Sequence, residues 1–390
     1  MKNYNNISDD DIDEIDDRLS ESLTPEKADI SNYLDNPPPE EEYLIHNLLI
    51  SCWLLTLSAP GGFSKSFLAL MFAEAIATGV PLFGNSFFSI PKKGKVVFLT
   101  MEEDTSDIHR RLWQSVKLLT AGKSKEEVKE IRKLLKRNLK IPPIAGTPFT
   151  LFPDEGKRSF FALIRFLKKY SDIRLLILDP MNLLMTEDLC DNSAVSKFVQ
   201  LLKKIHNFTG ASILILTHSN KQSMQKNSQS HGDTTSVLGA ASLVNASRVV
   251  MTLSAPSKDF LNKQKLFSCK DKYVLLRTVK CNNMAEKRTL LLERLEGGIL
   301  KDIPIDFAQE GDVYNTDGLL KIIQTNPGIG KMNLLKTYQE ENSASRSDAE
   351  TILNEAISKK MVTCKRGSRN NSHEYYPIVP DKEFQNSRNV

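Results

Sequence analysis

The 390-residue chain is 40% hydrophobic and 26% charged, the balance of an ordinary folded protein with room for one large domain and one small one. No apolar run approaches the roughly 18 residues a membrane span needs, and the acidic start matches neither a secretory nor an Arg-rich leader, so a cytoplasmic chain without a membrane partner is expected. The five cysteines (Cys52, Cys190, Cys269, Cys281, Cys364) form no C-x-x-C pair, which argues against a zinc cluster or a disulfide framework. The net charge of +4 is unevenly spread: residues 1–42 hold 14 acidic and 3 basic side chains, leaving 34 acidic and 49 basic over the rest. A basic body suits a polyanionic partner such as nucleic acid, and equally an ordinary basic surface with a solubilising tail.

In chain order, residues 1–38 are expected to be an acidic disordered tail ending at Pro37-Pro38-Pro39, with a short helix started by Thr24 as N-cap and Pro25 at the first helical position. Residues 39–302 alternate strands and helices. Apolar strands are predicted at Trp53–Ser58, Lys95–Met101, Ile173–Leu178, Ala211–Thr217 and Arg248–Leu253, and an apolar helix at Lys65–Thr78 closed by Gly79. Near-continuous aliphatic strands separated by helices indicate an α/β fold whose mostly parallel sheet is covered on both faces. Two later strands, Tyr273–Lys280 and Arg288–Leu295, lie close enough together to add an antiparallel extension.

Residues 303–315 read as a linker, 316–380 as a small winged-helix domain and 381–390 as a tail. In the small domain a helix over Asp317–Thr325, one from Lys331 and one over Arg346–Lys359 capped by Ser345 precede two strands, Met361–Cys364 and Glu374–Ile378, joined by a basic loop. In the third helix Ala349, Ile352, Leu353, Ala356 and Ile357 share one face.

Ala59-Pro60-Gly61-Gly62-Phe63-Ser64-Lys65-Ser66-Phe67 lies between the first apolar strand and the apolar helix, the setting of a phosphate loop that binds ATP. Backbone N–H groups there converge on phosphate oxygens; Lys65 is placed to neutralise the outer phosphates and the Ser66 hydroxyl to ligate Mg2+. Ala59 and Ser64 depart from the two glycines of the full pattern, and Ser64 stands where close backbone approach favours glycine.

Ligands of an open parallel sheet bind beyond the strands' carboxyl ends. There the sequence places Glu102-Glu103-Asp104, Asp179 and His218, each directly after an apolar strand. Asp179 suits the second magnesium ligand, Glu102 or its neighbour Glu103 the general base for water, and His218 a sensor of the γ-phosphate. Asp104 suits a helix cap, and the lesser reading of His218 is a histidine satisfied at a strand end.

The series APGGFSKSFLAL, VVFLTMEEDTSDIHRRL, LLILDP, LILTHSNK and LGAASLVNASRVV resembles the RepA-like hexameric replicative helicases, RecA-like ATPases of plasmids and mobile elements, over roughly residues 40–300. The resemblance implies a RecA-like P-loop core, a hexameric ring and single-stranded DNA as partner. It assigns the catalytic glutamate to Glu102, the histidine to His218, and an arginine finger acting on a neighbour's nucleotide to Arg248. It also implies that the Ser219–Ser236 loop lines the ring channel, with Lys221 and Lys226 touching DNA phosphates. In the C-terminal domain Lys365, Arg366 and Arg369 are the candidate DNA contacts, although Asp348, Glu350 and Glu355 beside Arg346 suit protein docking instead. The basic run Lys117–Lys140 suits a solvated helix face. Two rival readings share this core: a nucleotide-dependent DNA-binding regulator that oligomerises without unwinding, and a KaiC-like signalling ATPase.

Overall fold

The apolar runs become strands because each buries alternate side chains in two different cores. The computed structural model describes residues 24–151, 157–219, 237, 241–256, 258–264, 266, 272–282, 288–304, 316–342, 346–358, 361–366 and 373–377. The chain divides into two units, residues 1–305 and 306–390. In the first, a hairpin of β1 (Tyr43–Ile45) and β2 (Leu49–Ile50) precedes the main sheet. β3 (Leu54–Ala59), β4 (Lys95–Thr100), β5 (Leu139–Lys140), β6 (Ile173–Asp179), β7 (Ser212–His218) and β8 (Val249–Ser254) pair in parallel in the order β8-β3-β7-β6-β4-β5. β9 (Tyr273–Cys281), β10 (Thr289–Arg294) and β11 (Leu300–Ile303) continue the sheet antiparallel beyond β8.

Leu55, Leu57, Val96, Phe98, Leu175, Ile177, Leu214 and Leu216 point into one core, and Leu54, Val97, Leu99, Leu176, Leu178, Ile213 and Ile215 into the other. This period-two division is what makes every residue of a doubly covered strand apolar. The order places β3 between β7 and β8, so the chain leaving β3 crosses β7 and β6 before it forms β4. The crossover makes a crevice beyond the carboxyl end of β3. This is a mostly parallel α/β arrangement.

Two short helices, α1 (Pro25–Ala28) and α2 (Ser31–Asp35), lie within the stretch expected to be disordered; Thr24 Oγ1 caps α1 by accepting from Lys27 N at 3.4 Å. α3 (Lys65–Thr78) is buried at every position from Phe67 to Thr78 and ends at Gly79, whose φ of 80° is the left-handed stop the sequence predicted. α4 (Thr105–Leu119) starts at Asp104, which accepts from Asp107 N at 2.8 Å, so Asp104 is a helix cap. α5 (Lys125–Asn138) buries only Ile131 and Asn138, as a solvated basic helix should. α6 (Lys157–Leu167), α7 (Met181–Leu184) and α8 (Asn192–Thr209) supply the second core. α9 (Ala241–Ala246) precedes β8 and α10 (Lys258–Lys263) follows it.

The second unit holds α11 (Thr316–Thr325), α12 (Lys331–Asn342) and α13 (Arg346–Ser358), with β12 (Ile329–Gly330), β13 (Val362–Arg366) and β14 (His373–Pro377) in a three-stranded antiparallel sheet ordered β12-β14-β13. Ala349, Ile352, Leu353 and Ala356 of α13 are buried with Leu319, Ile323 and Tyr338, whereas Ile357 is exposed. Two details differ from expectation. β12, only two residues long, has no counterpart in the sequence pattern. Lys365 and Arg366 belong to strand β13 rather than to a loop, because Lys365 pairs with Glu374 and Arg366 with His373. Ser345 and Arg369 lie outside the described residues.

Candidate nucleotide site

The parallel pairing of β3, β4, β6 and β7 sends all four carboxyl ends to one edge of the sheet. Ala59 ends β3, and Pro60-Gly61-Gly62-Phe63-Ser64 turns the chain into α3. Gly62 has φ 78°. Gly61 and Gly62 are exposed, and a Cβ on either would meet nothing within 4 Å. The loop is thus an open cradle at a helix N-terminus, where backbone N–H groups favour an anion.

Ser64 adopts φ 58° and ψ 24° as it enters α3. A left-handed residue at this position explains why glycine suits it, and serine there costs about 1 kcal/mol. The strain lies in the backbone itself, a stronger reason than side-chain size.

Lys65 Nζ donates to Asp179 Oδ1 at 2.7 Å, and both side chains are buried. The ammonium thus rests on the acid beside the cradle. Asp179 Oδ2 is buried without a hydrogen-bond partner, as is Thr100 Oγ1, whose residue pairs with Asp179 across β4 and β6. An orphaned carboxylate oxygen on the partner of Lys65, with the half-buried Ser66 next in the chain, is the donor chemistry a magnesium ion takes, directly or through water. The residues present therefore fit ATP and magnesium.

Glu102 is exposed, with Oε1 3.7 Å from His218 Nε2, beyond a hydrogen bond but close enough for electrostatic coupling. The His218 carbonyl accepts from the Ser58 hydroxyl at 3.1 Å, and Ser219 N donates to the Ala59 carbonyl at 3.0 Å, so the end of β7 is tied to the end of β3. Glu103 has a partner of its own. It pairs with Arg111 at 2.5 Å, and the Arg111 guanidinium lies 4.6 Å from the centre of the Phe67 ring. Burial pushes the Glu103 carboxyl up to about 7 against the pull of Arg111, with the charges of Asp179, Asp107 and Glu102 adding to the rise.

The structure therefore gathers Lys65, Ser66, Asp179, Glu102 and His218 at one edge and sets Arg248 apart. Arg248 is exposed at the amino end of β8, where its N–H donates to the Leu54 carbonyl. It lines a cavity of about 400 Å³ together with Trp53, Lys203 and His206, and Lys203 Nζ sits 4.7 Å from the Trp53 ring centre. Lys221 and Lys226 lie outside the described residues, although Ser219 and Val237 flank that loop with an antiparallel bridge. In the second unit Lys365 is exposed with its Nζ 5.2 Å from the Tyr376 ring centre, and Glu350 pairs with Lys331 at 3.5 Å.

Two neighbours of the site are not singled out by the sequence as acting there, Thr100 and Arg294, whose guanidinium lies 5.2 Å from the Phe63 ring centre; nor is the pairing of Glu103, a candidate base, with Arg111. The EED-to-RRL stretch holds the only sequence signal for the pair. Arg294 comes from the antiparallel extension, far along the chain.

A family profile described as an AAA domain matches residues 20–224. Among solved structures, a DnaB-like replicative helicase, described with its primase interactions, is 14% identical with a TM-score of 0.44; the match covers 64% of this chain and 57% of that one. A second match, to an isolated ATPase domain, is 13% identical with a TM-score of 0.44, covering 77% of this chain and 100% of that one. The RadB recombinase is 14% identical, TM-score 0.39, covering 64% and 90%. With the profile spanning more than half of its length, the chain belongs to the AAA-domain family of P-loop ATPases.

Proposed function

We propose that the chain is an ATP- and magnesium-dependent, ring-forming motor on single-stranded DNA, a RepA-like replicative helicase of a plasmid, phage or other mobile element. The observation that carries this reading is the gathering of Lys65, Asp179, Glu102 and His218 at one sheet edge while exposed Arg248 lies at the other. When ATP enters the cradle, Lys65 exchanges Asp179 for the outer phosphates. Ser66 and Asp179 would hold magnesium, which would supply neutralisation of phosphate charge. Glu102 orients water toward the γ-phosphate and takes its proton. Arg248 of the next subunit stabilises the charge that develops.

His218 responds to loss of the γ-phosphate, and the attached loop carries Lys221 and Lys226 along the strand. The ring is read as a hexamer. The second unit is read as a winged helix whose Lys365, Arg366 and Arg369 contact DNA backbone. A rival reading, a regulator that binds ATP and oligomerises but does not unwind, draws support from the strained Ser64.

ATP hydrolysis with and without single-stranded DNA, beside Glu102→Gln, tests the proposal. Stimulation by DNA that the variant abolishes supports the motor. Nucleotide binding with no hydrolysis under either condition supports the regulator instead.

A further inference from the structure

The last turn of a helix leaves carbonyls with no partner inside the helix, and at the end of α9 two residues cover them. Ser247 N and Oγ both donate to the Leu243 carbonyl, at 2.9 and 2.8 Å, and Ser247 Oγ lies 2.7 Å from Thr56 Oγ1 of β3. Lys280 comes from far along the chain. It pairs with Val250 across β9 and β8, and its Nζ donates to the Val244 carbonyl at 2.8 Å and to the Asn245 carbonyl at 2.9 Å.

Arg248 directly follows this helix end. Its backbone is fixed on both sides: its N–H donates to the Leu54 carbonyl at 2.9 Å, and its carbonyl accepts from Asn282 N at 3.1 Å. Its side chain is exposed and makes no hydrogen bond or ion pair among the described residues. An arginine three or four residues past the last carbonyls of a helix is well placed to bond them, yet Lys280 already fills both. The two cations also feel each other. Burial first, and the Arg248 charge second, hold the Lys280 ammonium below its ordinary range. Occupied acceptors and a like charge turn the guanidinium away from its own helix and toward the cavity it lines with Lys203 and His206. That lining holds no carboxylate; Glu41, whose charge reaches Cys52, is not part of it.

We propose that Lys280 is the positioning residue for Arg248: its ammonium occupies the Val244 and Asn245 carbonyls and so keeps the guanidinium available to a neighbour's nucleotide. The proposal rests on the role given to Arg248 above. Lys280 touches no nucleotide and acts through Arg248 alone. Without it, the guanidinium falls back onto the two carbonyls.

ATP hydrolysis by full-length Lys280→Met, measured beside the parent and Arg248→Ala, tests this. The kcat should fall about 10- to 100-fold, the scale of a displaced catalytic group. KM for ATP and the nucleotide-induced rise in melting temperature should stay at parental values. Lys280→Arg, which keeps the charge and the donors, should restore kcat. Lys280→Gln keeps donors without the charge; it should lose less, and it replaces the methionine variant if that one does not fold. Mixed equally with Glu102→Gln subunits, either variant should exceed the mean of the two proteins alone, because an intact Arg248 then meets an intact Glu102. Parental kcat in both Lys280 variants beside an inactive Arg248→Ala overturns the positioning role and leaves Arg248 its own. A raised KM with unchanged kcat, or a mixture no better than the mean, assigns Lys280 to the fold of its own chain and also overturns it. Parental turnover in Arg248→Ala removes both roles.

Discussion

The two edges of the parallel sheet carry opposite chemistry. The carboxyl edge sets Glu102 and Asp179 beside an open phosphate cradle, whereas the amino edge sets Lys203, His206 and Arg248 around a cavity of about 400 Å³. β3 is six residues long, so the edges lie about 20 Å apart. A cation on the amino edge is therefore remote from the nucleotide of its own chain. In the proposed ring, head-to-tail packing of identical subunits would bring one edge against the other, and a ring is how such a contact closes.

The contrast can be broken at either edge. The largest effect is expected from Arg248→Ala, which should lower hydrolysis about 1000-fold while nucleotide still raises the melting temperature. A melting temperature that no longer responds to nucleotide would instead assign Arg248 a role in its own chain's site. Glu102→Gln should lower turnover at least about 100-fold, and Glu103→Gln far less. If Glu103→Gln is the dead variant, the base has been assigned to the wrong neighbour.

Ser64→Gly sharpens the account of the cradle. Relief of the left-handed serine should stabilise the protein by up to about 1 kcal/mol in denaturant titration; a loss of stability contradicts the strain argument.

The smallest effect concerns Glu74, an acid buried in α3. Burial lifts its folded pKa to about 8, above the ordinary value of 4.5, so the folded state binds the extra proton. The stability linked to that proton is complete below pH 4.5 and is lost as pH rises through 8. Thermal melts between about pH 5 and 9 should therefore show a shallower decline for Glu74→Gln than for the parent. Equal slopes would mean that Glu74 titrates as an exposed acid does.

The strands were legible because burial on two faces leaves an unbroken aliphatic run, and their bounds in the structure fall within about two residues of those predicted. The phosphate loop and the strand-end acids were legible because local spacing and strand direction suffice to place them. β5 and β12, two residues each, are too short to carry a period. Glu74 was hidden for a different reason. One acid in LALMFAEAIAT suggests a solvent face, yet α3 has none. Pairing of Glu103 with Arg111 rather than with the cradle depends on side-chain direction, which spacing does not convey.

Mixing two inactive variants tests the division between the edges most directly. In an equal mixture of Glu102→Gln and Arg248→Ala subunits, about a quarter of head-to-tail interfaces combine an intact Glu102 with an intact Arg248 of the neighbour. The account predicts that hydrolysis reappears on mixing, toward about a quarter of the parent rate. A mixture as inactive as its components, under conditions where the subunits exchange, would contradict a site shared between subunits.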